Sequence, residues 1–72
     1  MRRQAVQSSA LKSIGYDAEE HILELEFREN GDVWQYANVK PAIYKRFLDS
    51  ESRGNFFSTK IRGKYPEKKV EY

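Results

Sequence analysis

Apolar and polar residues alternate strictly from Leu23 to Arg28 within the stretch His21 to Arg28, with Leu23, Leu25 and Phe27 set against Glu24, Glu26 and Arg28. That period of two predicts a strand with one buried face and one acidic, solvated face. Leu11–Tyr16 predicts a shorter strand before it, with Ile14 and Tyr16 on one face. The polar run Asp17-Ala18-Glu19-Glu20 reads as the turn between them. Asn30-Gly31 then gives a strong hairpin signal, because both residues tolerate positive φ. Val33–Asn38 becomes the returning strand. On it Trp34 and Tyr36 are separated by one residue, so they share a face, and that face is expected to be the one carrying Leu23 and Phe27.

Pro41 opens the next element, since proline suits the first helical position. Ile43, Tyr44, Phe47 and Leu48 follow at helical spacing and predict an apolar stripe. This helix is expected to end near Asp49-Ser50. A second helix is expected from about Ser52, a suitable N-cap, to Arg62, with Phe57 and Ile61 on one face. Gly63 fits a helix stop. The expected architecture is α+β: a three-stranded antiparallel meander followed by two short helices packed on one face. The expected core is Ile14, Leu23, Leu25, Phe27, Trp34, Tyr36, Ile43, Tyr44, Phe47, Leu48, Phe57 and Ile61. Residues 1–8 lack periodicity and read as a disordered lead-in. Residues 9–66 form the expected domain, and residues 67–72 read as a loose tail.

Composition narrows the chemistry. Seventy-two residues make one domain near the lower size limit for folding without staples. There is no Cys, which excludes disulfides, thiolate metal sites and a cysteine nucleophile. Four Phe, five Tyr and one Trp supply the burial such a small domain needs. No apolar run reaches the ~20 residues of a membrane span. No apolar signal segment follows Met1-Arg2-Arg3-Gln4, so a soluble, cytoplasmic protein is expected.

Charge is uneven. Residues 1–39 carry four basic and seven acidic groups, whereas residues 40–72 carry nine basic and four acidic groups. Such asymmetry can steer a polyanion to one half of a molecule; equally, it can simply keep a small domain soluble.

The elements fall in a recognisable order. Ser9 precedes Ile14-Gly15-Tyr16-Asp17, then come the Leu23/Leu25/Phe27 strand, aromatic-x-Tyr, Val39-x-Pro41 and Tyr44. Ser52-x-Gly54-x-Phe56-Phe57, Ile61-Arg62 and Tyr65 complete the series. Over roughly residues 8–66 this chain resembles the KTSC domain. That family is named for its place at the carboxyl end of some lysyl-tRNA synthetases, and it also occurs as stand-alone bacterial and phage proteins. The resemblance implies a small module of no established activity, for which RNA binding has been suggested. Two positions depart from the family pattern: Trp34 stands where the first Tyr of a Tyr-x-Tyr motif is usual, and Ser58 where Asn is frequent. Trp34 keeps an aromatic plane but replaces a phenol with an indole N–H.

Catalysis finds little support. His21 is the single histidine and has no thiol or orienting carboxylate beside it in the pattern. Glu24 and Glu26 share a strand face but supply no third ligand, so neither a catalytic residue nor a metal or cofactor site is expected. Gly54 and Gly63 read as turn and cap residues. The leading expectation is a non-catalytic nucleic-acid module, RNA first. Arg53, Lys60, Arg62, Lys64, Lys45 and Arg46 would neutralise phosphates, and interleaved aromatics would stack on bases. Trp34, Tyr36 and Tyr44 are the aromatic candidates, for the core or for stacking. The alternative is an interaction module that binds a protein or nucleotide, self-associates, or acts on a phage host, with Trp34, Tyr36 or Tyr44 lining a pocket and Arg62 holding a phosphate.

Overall fold

The computed structural model describes residues 3–71. Five antiparallel strands form one sheet in sequence order: β1 (Arg3–Ala5), β2 (Leu11–Asp17), β3 (Ile22–Phe27), β4 (Val33–Tyr36) and β5 (Glu67–Val70). Between β4 and β5 the chain forms helix α1 (Pro41–Asp49), helix α2 (Arg53–Phe56) and a π-helical turn, Phe57–Ile61. The α+β class is as expected, but the sheet has five strands where three were predicted. The inner three are the predicted meander. β1 lies in the stretch read as a lead-in, and β5 lies in the stretch read as a tail. Met1, Arg2 and Tyr72, the ends of those two stretches, lie outside the described residues.

The register settles which residues face inward. Leu23 pairs with Tyr36 and Leu25 with Trp34. Ile14 lies opposite Leu25 and Tyr16 opposite Leu23. All of these side chains share the face covered by the helices. A bulge between Leu11 and Ser13 adds one residue to β2. It turns Leu11, three residues before Ile14, onto the same face, where it is fully buried. Strict alternation predicts the opposite face for Leu11, so it was absent from the expected core. Val39, between β4 and α1, is another unpredicted core residue. Its N–H donates to the His21 carbonyl at 2.9 Å, and its own carbonyl accepts from the Tyr16 hydroxyl. Phe27, Trp34, Ile43, Tyr44 and Leu48 pack against the core but are only partly buried.

The open face of the sheet is not the solvated acidic surface its alternation suggests. Glu24 is 3% exposed. Arg3 of β1 pairs with it, and the Gln35 amide donates to its other oxygen at 2.8 Å. Arg3 also donates to the Ser13 hydroxyl at 3.0 Å, which in turn donates to Glu26 at 2.8 Å. β1 is thus held by side chains that span three strands, although its own sequence has no apolar period.

The connections are built by local polar chemistry. The Asp17 carboxylate accepts from the backbone N–H groups of Glu19 and Glu20, at 3.0 and 3.1 Å. His21, at φ 57°, closes that turn before β3. At the next hairpin only Gly31 takes a positive φ, 73°. The turn spans residues 28–32, wider than Asn30-Gly31 alone predicts, and the Asn30 side chain accepts from the Asp32 N–H at 3.0 Å. Arg28 ties the β1–β2 loop down by donating to the carbonyl of Ser8 at 3.0 Å and that of Leu11 at 3.3 Å.

The helical segment carries the predicted stop and start signals. Pro41 begins α1. The Ser52 hydroxyl accepts from the Asn55 N–H at 3.2 Å and caps α2. Gly63, at φ 75°, ends the segment. The predicted second helix is real but not wholly α: the Arg62 N–H reaches back to the Phe57 carbonyl at 2.8 Å, a π-type bond. Gly54 is not a turn residue. It sits inside α2, where a Cβ would stand 3.0 Å from the Ala10 Cβ. With any other residue here the β1–β2 loop must give by a few tenths of an ångström. Gly54→Val is expected to lower stability by about 1–3 kcal/mol through this overlap, read from the urea midpoint. A neutral or stabilising result would show that the loop yields freely.

Candidate functional site

The helices cover the sheet unevenly. Tyr44 of α1 stacks on Tyr16 of β2, with ring centroids 4.2 Å apart and planes 9° from parallel. At β3 and β4, Phe57 of the π turn meets Phe27 and Tyr36 edge-on, each at 5.3 Å. Beyond Phe57 the cover stops and a cavity of about 300 Å³ opens. Its walls are the rings of Phe27, Trp34, Tyr36 and Phe57. Arg62, one residue past the π turn, stands at its rim. Glu29 and Asn30 come from the β3–β4 turn, Glu67 from the first residue of β5, and Ala10 from the β1–β2 loop.

Trp34 and Tyr36 differ in depth. Trp34 is partly buried, whereas Tyr36 is 3% exposed. The Tyr36 hydroxyl makes no hydrogen bond among the described residues, in contrast to the Tyr16 hydroxyl on Val39. Burial, with a smaller contribution from nearby Glu67, raises the Tyr36 pKa to about 12, and Arg62 opposes both. The phenol is therefore protonated, and a donor, at any physiological pH. Burial also raises the pKa of Tyr16 and of Tyr44.

The sequence candidates separate in space. Trp34, Tyr36 and Arg62 meet at this cavity. Tyr44 does not line it and is engaged with Tyr16. Lys45 and Arg46 line a shallow groove on α1 with Phe56. Arg53 lines a third, polar recess with Ser8, Ser9 and Ser52. Its guanidinium Nε is buried without a hydrogen-bond partner. Lys60 and Lys64 are exposed. The cavity residues missed by sequence reasoning include Ala10, Phe27, Glu29, Asn30 and Glu67. No spacing signal links them, because Glu67 arrives only through the pairing of β5 with β4. Among the described residues no group of three or more His, Cys, Asp or Glu side chains could hold a metal ion. None of the described helices is long and apolar enough to cross a membrane.

The KTSC domain family model matches residues 7–65. This chain belongs to the KTSC domain family. It is similar over almost its whole length to the crystal structure of a KTSC domain protein from Yersinia pestis, with a TM-score of 0.91, 40% identity and 97% of each chain covered. An uncharacterized protein of Stutzerimonas stutzeri is 43% identical over 58 residues, 81% of this chain and 80% of that protein. A lysine–tRNA ligase of Nostoc punctiforme is 29% identical over 59 residues, which are 82% of this chain but only 10% of the ligase.

Seen as a KTSC domain, the molecule assigns structural work to much of its motif series. Ser52 caps α2, Gly54 permits the approach to Ala10, Phe56 packs edge-on against Phe47 at 5.9 Å, and Phe57 pins the π turn to the sheet. Tyr16 is a strut from β2 to Val39. Phe27, the aromatic-x-Tyr pair, Phe57 and Arg62 are the motif residues that also face the cavity.

The buried phenol makes stability depend on alkaline pH. The folded Tyr36 pKa lies above the ordinary value of 10.0, so its contribution is intact below pH 10 and is lost as pH rises through about 12. Urea midpoints should therefore fall as pH rises from about 10 to about 12. Tyr36→Phe should flatten that fall, leaving the part due to Tyr16 and Tyr44. An unchanged slope in Tyr36→Phe would show that its phenol titrates normally.

Proposed function

We propose that this KTSC domain is a non-catalytic nucleic-acid-binding module of the cytoplasm, with RNA as its partner. The observation that carries this reading is a set of uncompensated cations. Lys45, Arg46, Lys60, Arg62 and Lys64 are all exposed. Among the described residues none of them makes an ion pair. The acidic sheet face, by contrast, is internally neutralised where Arg3 meets Glu24. Cations left without carboxylate partners are available to phosphates, and counterion release then supplies affinity. The family tie adds support, because a related domain forms part of a ligase named for its action on tRNA. The side that meets RNA is the helical side, since the sheet's other face carries Glu24, Glu26 and Gln35 in place of the aromatics of an RNA-reading sheet.

The test is fluorescence anisotropy with labelled tRNA, single-stranded RNA and duplex DNA across a salt series. Saturable binding to RNA at physiological salt is expected. In the triple variant Lys60→Glu, Arg62→Glu, Lys64→Glu, affinity should fall at least ~10-fold, and the log–log salt slope should shrink by about 2. Equal affinity in the triple variant would rule out this surface as the binding site.

A further inference from the structure

The cavity beside Trp34 has a chemical asymmetry that packing alone does not require. Its walls are aromatic rings from Phe27, Trp34 and Phe57. Tyr36 lines it too; its side chain is mostly buried, but its hydroxyl keeps access to solvent and makes no hydrogen bond among the described residues. A phenol donor that solvent reaches and no protein group engages, on the wall of an aromatic cavity, is open to a ligand acceptor. Arg62 and Glu67 stand near that phenol with opposite charge, yet they do not pair with each other. Glu29 adds a second carboxylate at the rim.

These features select among ligands. Arg62 disfavours a cation in the aromatic slot, which an all-acidic aromatic cage would welcome. An aliphatic anion would leave the ring faces and both carboxylates unused. A flat heteroaromatic ring that carries hydrogen-bond donors on one edge and an anion on a short arm uses all of them. A volume of about 300 Å³ lies at the lower end of small-molecule sites and suits one base with its phosphate at the rim.

We propose that this cavity binds a single unpaired nucleotide with an amine-bearing base, its ring against Trp34 and its phosphate on Arg62. The proposal rests on the nucleic-acid reading above and gives that surface its preference for unstacked nucleotides over duplex. The base amine donates to Glu67 or Glu29, and a ring nitrogen or carbonyl accepts from Tyr36. Cytosine and uracil separate the case cleanly. Cytosine presents an amine with two hydrogens beside a ring acceptor. Uracil presents one N–H between two carbonyl oxygens, and those oxygens would face the carboxylates. The nucleotide can be free or an exposed residue of an RNA strand, since both offer the same base and phosphate.

Trp34 is the single tryptophan, so its fluorescence reports occupancy of the cavity directly. Titration with CMP should quench it saturably. UMP and cytidine should each bind at least ~10-fold more weakly, the first for want of the amine and the second for want of the phosphate. Arg62 and Glu67 are exposed, so their variants should fold, with thermal melting as the control. Arg62→Gln should bring CMP down to the level of cytidine, and Glu67→Gln should narrow the gap between CMP and UMP. No saturable change with CMP, or equal affinities for CMP, UMP and cytidine, overturns the proposal. Anisotropy with tRNA and with oligo(C) and oligo(U) separates the two readings. RNA binding that survives while CMP leaves Trp34 unchanged would overturn the cavity assignment and leave the cationic surface standing. CMP binding without RNA binding at physiological salt would support the cavity, as a site for free nucleotide, and remove the surface.

Discussion

The position of Phe57 governs the rest of the molecule. It is the first residue of the π turn, it is buried, and it meets Phe27 and Tyr36 edge-on at 5.3 Å each. Edge-to-face pairs of this kind add about 0.5–1.5 kcal/mol each beyond the area they bury. Together with fully buried Ile61, at the other end of the turn, Phe57 fixes the helical segment to β3 and β4. The π-type bond from Arg62 to Phe57 then determines where the chain leaves that segment. The same contact sets the limit of the helical cover, and so the mouth of the aromatic cavity and the place of Arg62 beside it.

What the sequence makes legible follows from how local each signal is. The alternation of Leu23, Leu25 and Phe27, the Pro41 start, the Ser52 cap and the Gly63 stop are written in neighbouring residues, and each has its predicted place. β1 and β5 are not written that way. Arg3-Gln4-Ala5 has no apolar period; its strand depends on a salt bridge to Glu24, twenty-one positions away. Glu67-Lys68-Lys69-Val70 is mostly charged, as edge strands are when they discourage pairing with other chains, and so it resembles a solvated tail. Leu11 was hidden by a bulge that breaks the period on which core prediction relies.

The candidate site was legible as residue types but not as a place. Trp34, Tyr36 and Arg62 are recognisable candidates from the sequence, and they do come together. Tyr44 has the same credentials but is spent on Tyr16, while Lys45, Arg46 and Arg53 line other recesses. Spacing along the chain cannot separate these cases, because the partners of each residue come from other strands. Glu67 shows this most clearly: its place at the cavity depends on a strand whose own sequence reads as a tail.

The order of the sheet has a consequence for motion. β1 to β4 each pair with their neighbour in sequence, so their loops close at little entropic cost. β5 alone is separated from its partner β4 by the whole helical segment, a longer loop to close. It is also an edge strand, mostly exposed, tied on its inner side by the β4 ladder and by a partly exposed contact from Lys69 to Asp32 at 3.6 Å. An edge strand that buries little can open at lower free energy than the core strands. Glu67 leads that strand. One wall of the aromatic cavity therefore hangs on an exposed edge strand, apart from the buried core that builds the rest of the site.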